Sequence, residues 1–197
     1  MDRIVPRWEW RAFAADFGLA EARLGRLDPE SEQESDEVYL LAAVTDKTVK
    51  IRDDLLDVKS LERVDRAGLE QWRPALKASF PLPPVDVERL FAMMRLPSPD
   101  AEDPDYTLDE LYDELEDCGC AQIVPLHKKR RHYTIAGCMT ELTDVRLSGG
   151  TDVRTVAVES EDAERVLAAL DYLGLSGCPN TSYPRWLTAE VGIDLEP

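Results

Sequence analysis

A chain of 197 residues with 44% hydrophobic residues is long enough to bury a core, and we expect one domain. The formal charge of −17 repels nucleic acid and anionic membrane surfaces, so neither is an expected partner, and a phosphate ligand would need a local basic pocket. The sequence contains no apolar run long enough for a membrane span and no signal-peptide core, which predicts a cytoplasmic protein.

The first elements follow from the spacing of apolar residues. Charged and apolar residues alternate from Arg7 to Phe13, and this period of two predicts a strand. A helix is expected from Phe17 to Leu27, where leucines recur on one stripe. Residues 28–37 contain no hydrophobic side chain and are expected to form an exposed acidic loop before a strand from Val38 to Val44.

Residues 47–59 predict a β-hairpin with a tight turn at Asp53-Asp54. One face of the hairpin is apolar, and the other carries Lys50, Arg52 and Lys59. In a protein of this charge the cationic face has two interpretations. It is either the solvated outer face of an antiparallel sheet or part of an anion site.

A helical insertion is predicted at about residues 65–118. It begins with a short helix from Asp65 that breaks before Pro74 and continues with a helix after the possible cap Asp86. The capping-box pattern at Thr107 predicts the start of the last helix of the insertion, which is expected to end near Gly119.

Strands return in the second half of the chain. They are predicted at residues 121–124, 128–135, 138–145 and 153–158, and a helix from Glu161 to Leu173 follows, with Gly174 at its end. The segment from Asn180 to Leu187 is expected to end the ordered part. Strands in two groups with helices between them predict an α+β fold with a mainly antiparallel sheet.

Four cysteines are too few and too scattered for a disulfide scaffold, and Cys118 and Cys120 lack the usual zinc spacing. Free thiols are therefore expected.

If the strands close into a barrel with their charged sides inward, cations and carboxylates line one cavity. Such a cavity could bind a polyphosphate, with carboxylates holding Mg²⁺ or Mn²⁺, and metal-assisted attack of water on phosphorus would follow. The residues are Arg7, Glu9, Arg11, Lys50, Arg52, Lys59, Lys129 or Arg130, Arg131, Glu141 and Glu159.

The order of these charged strands resembles the CYTH domain of the triphosphate tunnel metalloenzyme superfamily. That family includes inorganic triphosphatases, thiamine triphosphatases and class IV adenylate cyclases. The resemblance rests on the opening charged strand, Lys50-x-Arg52, Val58-Lys59, the basic and acidic strands that follow, and Val156-Ala157-Val158-Glu159 before a helix. It implies an eight-stranded antiparallel barrel with helices packed outside.

The resemblance also implies roles for individual residues. Lys59 and Glu9 are the expected catalytic residues. The expected substrate-binding residues are Arg7, Arg11, Lys50, Arg52, Lys129 and Arg131. The expected metal ligands are Glu9, Glu141, Asp144 and Glu159.

Two positions depart from the family pattern, since Arg7 and Ala157 stand where the family has acids. Two functions therefore stay open. The first is a metal-dependent phosphohydrolase acting on inorganic triphosphate or an organic triphosphate. The second is a phosphate- or nucleotide-binding module of the same fold with little or no catalysis, in which Glu9 forms an ion pair with an arginine. A protein scaffold is a third, less favoured class.

Overall fold

The computed structural model describes residues 5–44, 46–99 and 105–192. The strands are β1 (Arg7–Ala14), β2 (Ser31–Leu41), β3 (Lys47–Arg52), β4 (Leu55–Val64), β5 (Glu70–Ser79), β6 (Gln122–Ile135), β7 (Cys138–Leu147) and β8 (Asp152–Ser160). The helices are α1 (Leu19–Leu24), α2 (Pro84–Met94), α3 (Leu108–Cys118), α4 (Ala163–Leu173) and α5 (Tyr183–Val191). The strands close into an antiparallel barrel in the order β1-β5-β4-β3-β2-β6-β7-β8, which confirms the predicted α+β barrel with helices outside.

The chain divides into two compact units that alternate along the sequence. The first unit comprises the described residues of Met1–Asp36, Leu61–Arg73 and Leu126–Ser182. The second unit comprises those of Glu37–Ser60, Pro74–Pro125 and Tyr183–Pro197.

In the first unit, one face of the strands packs against α4. Trp10 on β1, Leu142 on β7 and Val156 on β8 are buried in one cluster with the leucines of α4, including Leu170. Side chains on a strand alternate between its two faces, so the residues between these apolar ones point away from the helix. The core of this unit therefore determines which side of the strands carries the charges.

The second unit repeats this arrangement with other elements. Val49 and Val58 are directly opposite each other on β3 and β4, and both are buried with residues of α2 and α3 such as Phe91 and Leu115. The helix α3 begins with the predicted capping box, in which the Thr107 hydroxyl accepts from the backbone N–H of Glu110. The predicted hairpin of residues 47–59 is confirmed, with its turn at Asp53-Asp54.

The predicted acidic loop at residues 28–37 is wrong, because Ser31–Asp36 form the first part of β2. These acidic residues have cationic neighbours on β6. Glu34 lies 3.3 Å from Lys129 Nζ, and His127 contacts both Glu34 and Asp36. Contacts with the basic residues of β6 therefore stabilise this segment, which has no hydrophobic side chains that could be buried.

The predicted short helix from Asp65 to a break before Pro74 is also wrong, and the helices of the insertion begin only at Pro84. Asp65 closes a turn by accepting hydrogen bonds from the backbone N–H groups of Ala67 and Leu69. The chain then runs as β5, whose Trp72 pairs with Arg7 on β1. A proline such as Pro74 removes a hydrogen bond that a helix interior needs, and pairing with β1 favours the strand.

Two further predictions need correction. The ordered part of the chain does not end at Leu187, because α5 extends to Val191. Cys118 and Cys120 form a disulfide where free thiols were predicted. Gly119 between them has φ +59°, a left-handed conformation that ends α3 and turns the chain back. No helix within the described ranges is long and apolar enough to cross a membrane.

Candidate functional site

The first charged cluster lies on the inward face of the first unit, on the side of the strands that α4 does not cover. Strand pairing brings its members together, since Glu9 is opposite Glu159, and Ala157 is opposite both Arg11 and Glu141. The cluster consists of Arg7, Glu9, Arg11, Lys128, Arg130, His132, Glu141 and Glu159.

Arg11 connects two carboxylates of this cluster. Its Nε donates to Glu9 Oε1 at 3.1 Å, and its Nη1 donates to Glu141 Oε1 at 3.3 Å. The same Nη1 lies 3.3 Å from the hydroxyl of Thr155, and only 11% of the Arg11 side chain is exposed. Sequence reasoning predicted Arg7, Glu9, Arg11, Glu141 and Glu159 for one site, and these residues do share one face.

Cationic and hydroxyl groups surround the carboxylate of Glu141. Besides Arg11, the Thr143 hydroxyl donates to it at 2.7 Å, and Arg130 Nε and His132 Nε2 lie 3.7 and 3.6 Å away. Burial alone would raise the pKa of Glu141, but the positive charge of Arg11 and the donors around the carboxylate hold that pKa well below its ordinary value. Glu141 is therefore an anion throughout the neutral range.

Glu159 has an arginine partner of its own, because Arg7 Nη1 donates to its Oε1 at 3.0 Å. This pair is less enclosed than the pair of Arg11 and Glu141, since 43% of the Arg7 side chain is exposed.

The carboxylates as arranged do not fit a divalent metal ion. Magnesium and manganese need several oxygen ligands around one point, and here Glu9, Glu141 and Glu159 already have arginine partners. In the part of the chain that the structure describes, no three His, Cys, Asp or Glu residues are grouped so that they could hold a metal.

Three predicted site residues, Lys129, Arg131 and Asp144, lie on the opposite, outward face. Asp144 accepts hydrogen bonds from Arg131 at 3.1 Å and from Arg154 at 2.9 Å, and 62% of the Lys129 side chain is exposed. Their placement with the inward carboxylates is therefore corrected. The reason is that side chains on a strand alternate between its two faces. Asp144, three residues after the inward Glu141, therefore points outward, and so do Lys129 and Arg131 on either side of the inward Arg130.

Sequence reasoning missed Lys128 entirely and treated Arg130 only as an alternative to Lys129. Both side chains are at least 95% buried on the inward face. Because residues 128–131 are all basic, this stretch of the sequence does not show which of its side chains point inward. The buried residues Tyr133 and Ile135 further along β6 could have shown it, because apolar positions mark the helix-covered face.

The second charged cluster lies on the inward face of the second unit and consists of Lys50, Arg52, Lys59, Glu37 and Asp57. Lys50 is opposite Asp57 in the hairpin, with 3.8 Å between Nζ and the carboxylate, and Arg52 Nη1 lies 3.4 Å from Glu37 Oε1. Sequence reasoning predicted the three cations together. It missed the buried Glu37, which ends a run of acidic residues without apolar spacing.

Burial controls the ionisation of Lys50. It lowers the pKa of the Lys50 ammonium, Glu37 and Asp57 oppose that shift, and Lys59 and Arg52 add smaller contributions that lower the pKa further. Three of the five members of this cluster are cations, and Arg52 also lies 3.6 Å from the exposed carboxylate of Asp53.

A cavity of about 340 Å³ opens beside the first cluster, with Arg11, His132, Glu141 and Glu159 among its lining residues. It is of the size expected for a small-molecule site, and its lining carries both signs of charge.

No protein-family model matches this chain, and no curated protein matches it. Among solved structures it is similar to a conserved hypothetical protein from Pyrococcus furiosus, at 18% identity over 90% of this chain and 98% of the other, with a TM-score of 0.50. It is also similar to HpAC1 from Hippeastrum, a candidate adenylyl cyclase with a dominant triphosphatase activity. The identity is 13% over 96% of this chain and 99% of the other, with a TM-score of 0.49. A third similar structure is that of a candidate adenylate cyclase from Bacillus halodurans. The identity is 12% over 91% of this chain and 97% of the other, with a TM-score of 0.49. At 18% identity the similarity to the Pyrococcus furiosus protein supports the fold alone.

Proposed function

We propose that this protein binds a small molecule carrying a chain of phosphates, and that Lys50, Arg52 and Lys59 bind the phosphate oxygens. The observation that carries the proposal is the presence of three cations on one inward hairpin face in a protein whose formal charge is −17. Phosphate oxygens form strong charge-assisted hydrogen bonds with arginine and lysine, and a partly enclosed site strengthens them.

The distances within the second cluster leave its cations able to take an external anion. Lys50 and Asp57 are 3.8 Å apart, which is longer than a hydrogen bond, and the contact of Arg52 with Glu37 is long at 3.4 Å. A phosphate oxygen at hydrogen-bonding distance would therefore gain more than it displaces.

The resemblance to the CYTH domain agrees with a triphosphate or a nucleotide as the ligand class. Binding that does not require a divalent cation follows from the arginine partners of Glu9, Glu141 and Glu159.

The binding proposal is tested by calorimetric titration of inorganic tripolyphosphate in the presence of EDTA. Lys59→Ala should weaken binding about tenfold or more, because a charge-assisted hydrogen bond contributes about 1.5–3 kcal/mol. Lys129→Ala is the matched control, since that lysine lies on the outward face, and it should leave the affinity unchanged. Equal losses in both variants, or no binding by the wild type, would contradict the proposal.

A metal-dependent triphosphatase is the second candidate, because Glu9, Glu141 and Glu159 share the inward face, but it requires a metal ion to displace the arginine partners of these carboxylates. In it Lys59 and Glu9 keep their predicted catalytic roles, with Mg²⁺ or Mn²⁺ as the predicted cofactor. Phosphate release from tripolyphosphate, ATP and thiamine triphosphate should be measured with each metal. Turnover above that of Lys59→Ala supports this candidate, and its absence supports a binding module.

A further inference from the structure

We infer that Arg11 is a built-in cation that holds Glu9 and Glu141 together, and that this carboxylate set excludes divalent metal ions. The inference goes beyond the proposed function. It concerns the first charged cluster alone and holds whichever anion the second cluster binds.

The first step of the argument is geometric. One planar guanidinium spans the two carboxylates, using Nε for Glu9 and Nη1 for Glu141 at 3.1 and 3.3 Å. A divalent ion binds carboxylate oxygens at about 2.0–2.6 Å and would have to enter the space between these same groups. The two cations cannot both occupy it.

The second step is energetic. Arg11 stays protonated at any working pH, and its side chain is only 11% exposed. A metal that displaced Arg11 would leave the guanidinium buried beside a second positive charge. Breaking a buried ion pair in this way is strongly unfavourable, so the carboxylates keep the guanidinium.

Three described neighbours of this pair, Ala157, Glu159 and Thr143, add little to the ligands that a metal ion would need. Ala157 lies opposite both Arg11 and Glu141 and presents no side-chain oxygen. Glu159 is engaged by Arg7, and the Thr143 hydroxyl already donates to Glu141. A metal ion would therefore find fewer oxygen ligands than it needs.

The experiment compares Mn²⁺ binding by the wild type and by Arg11→Ala, using calorimetry and melting temperatures in MnCl₂ and in EDTA. The wild type should show no saturable binding and no rise in melting temperature with Mn²⁺. Arg11→Ala should gain both, because the carboxylates of Glu9 and Glu141 and the hydroxyl of Thr155 then lose their guanidinium partner and can act as ligands. Phosphate is absent throughout, so the result is independent of the proposed function.

Arg146→Ala is the matched control. Arg146 also binds a carboxylate through its guanidinium, that of Asp152, but on the surface and with no second carboxylate partner among its hydrogen bonds. It should gain no saturable Mn²⁺ binding.

The inference is overturned if folded Arg11→Ala gains no Mn²⁺ binding. It is also overturned if the wild type binds Mn²⁺ and Glu141→Gln abolishes that binding. The second comparison needs no change at Arg11 and decides the question even if Arg11→Ala does not fold.

Discussion

The two charged clusters have the same construction but differ in how closely their opposite charges pair. In both, the apolar faces of neighbouring strands pack against helices and the alternate residues carry charges. In the first cluster, Arg11 and Arg7 contact carboxylates at 3.0–3.3 Å. In the second, the contacts of Arg52 and Lys50 are 3.4 and 3.8 Å. Close pairing therefore occupies the arginines Arg7 and Arg11 of the first cluster, whereas the looser contacts of the second leave it better able to attract an anion.

This difference shows that the number of cations on a face does not determine what the face can bind. The first cluster has four lysines and arginines against three carboxylates, and the second has three against two, so each has one more cation than carboxylates. The clusters differ instead in distance, because the arginine contacts of the first are shorter than the contacts of Lys50 and Arg52 in the second. The distance between charge partners therefore matters more here than the number of charges.

The largest expected effect comes from removing the carboxylate at the centre of the first cluster. Glu141→Ala should lower the free energy of unfolding by about 3–5 kcal/mol, because it leaves Arg11 and Arg130 buried without this counter-charge. Glu159→Ala, whose partner Arg7 is 43% exposed, should cost no more than about 1 kcal/mol. Urea denaturation measures both. Equal losses would mean that Glu141 is not the main counter-charge of the buried arginines.

The next effect comes from converting the first cluster into a carboxylate-rich site. The double substitution Arg7→Glu and Ala157→Glu restores acids at the two positions that depart from the family pattern. In EDTA the variant should lose about 1–3 kcal/mol of stability, because Ala157 is buried and the added charges repel Glu141 and Glu159.

Mn²⁺ should restore more stability to this double variant than to the wild type, since binding to the native state alone stabilises it. Melting temperatures in EDTA and in MnCl₂ provide the measurement. Identical melting temperatures for both proteins, with no response to metal, would show that these positions do not share a site.

The smallest effect is a pH dependence at His132. A hydrogen bond to Glu141 raises the pKa of His132 above 6.5, against the effects of burial and Arg130. A raised folded-state pKa means that the stabilisation is fully present below about pH 6.5 and is lost as the pH rises through the folded-state value. Glu141 stays ionised across this range because its own pKa is lowered.

His132→Gln should therefore lower the melting temperature in mildly acidic buffer and have little effect in alkaline buffer. The loss should stay below about 1 kcal/mol, since the histidine is partly exposed. A loss that is the same at both pH values would contradict a contribution from protonated His132.

Local patterns in the sequence determined several elements of this protein. The hairpin of residues 47–59 and its cationic face follow from strict alternation, and α3 follows from the capping box at Thr107. Gly174, with φ +75°, ends α4 as predicted, because a left-handed residue is needed there. In each case the interactions that decide the structure lie within a few residues of one another.

Only the tertiary structure decided the remaining features, because their partners are distant in the sequence. Residues 31–36 become part of β2 beside a basic strand about a hundred residues away, and residues 70–73 become strand through pairing with β1. The phase of β6, which puts Lys128 and Arg130 inward and Lys129 outward, depends on which side α4 covers. The sequence by itself determined that Arg11 and Glu141 are charged, whereas strand register across 130 residues decided that they are 3.3 Å apart. An ion pair depends on distance, and the closed barrel sets that distance.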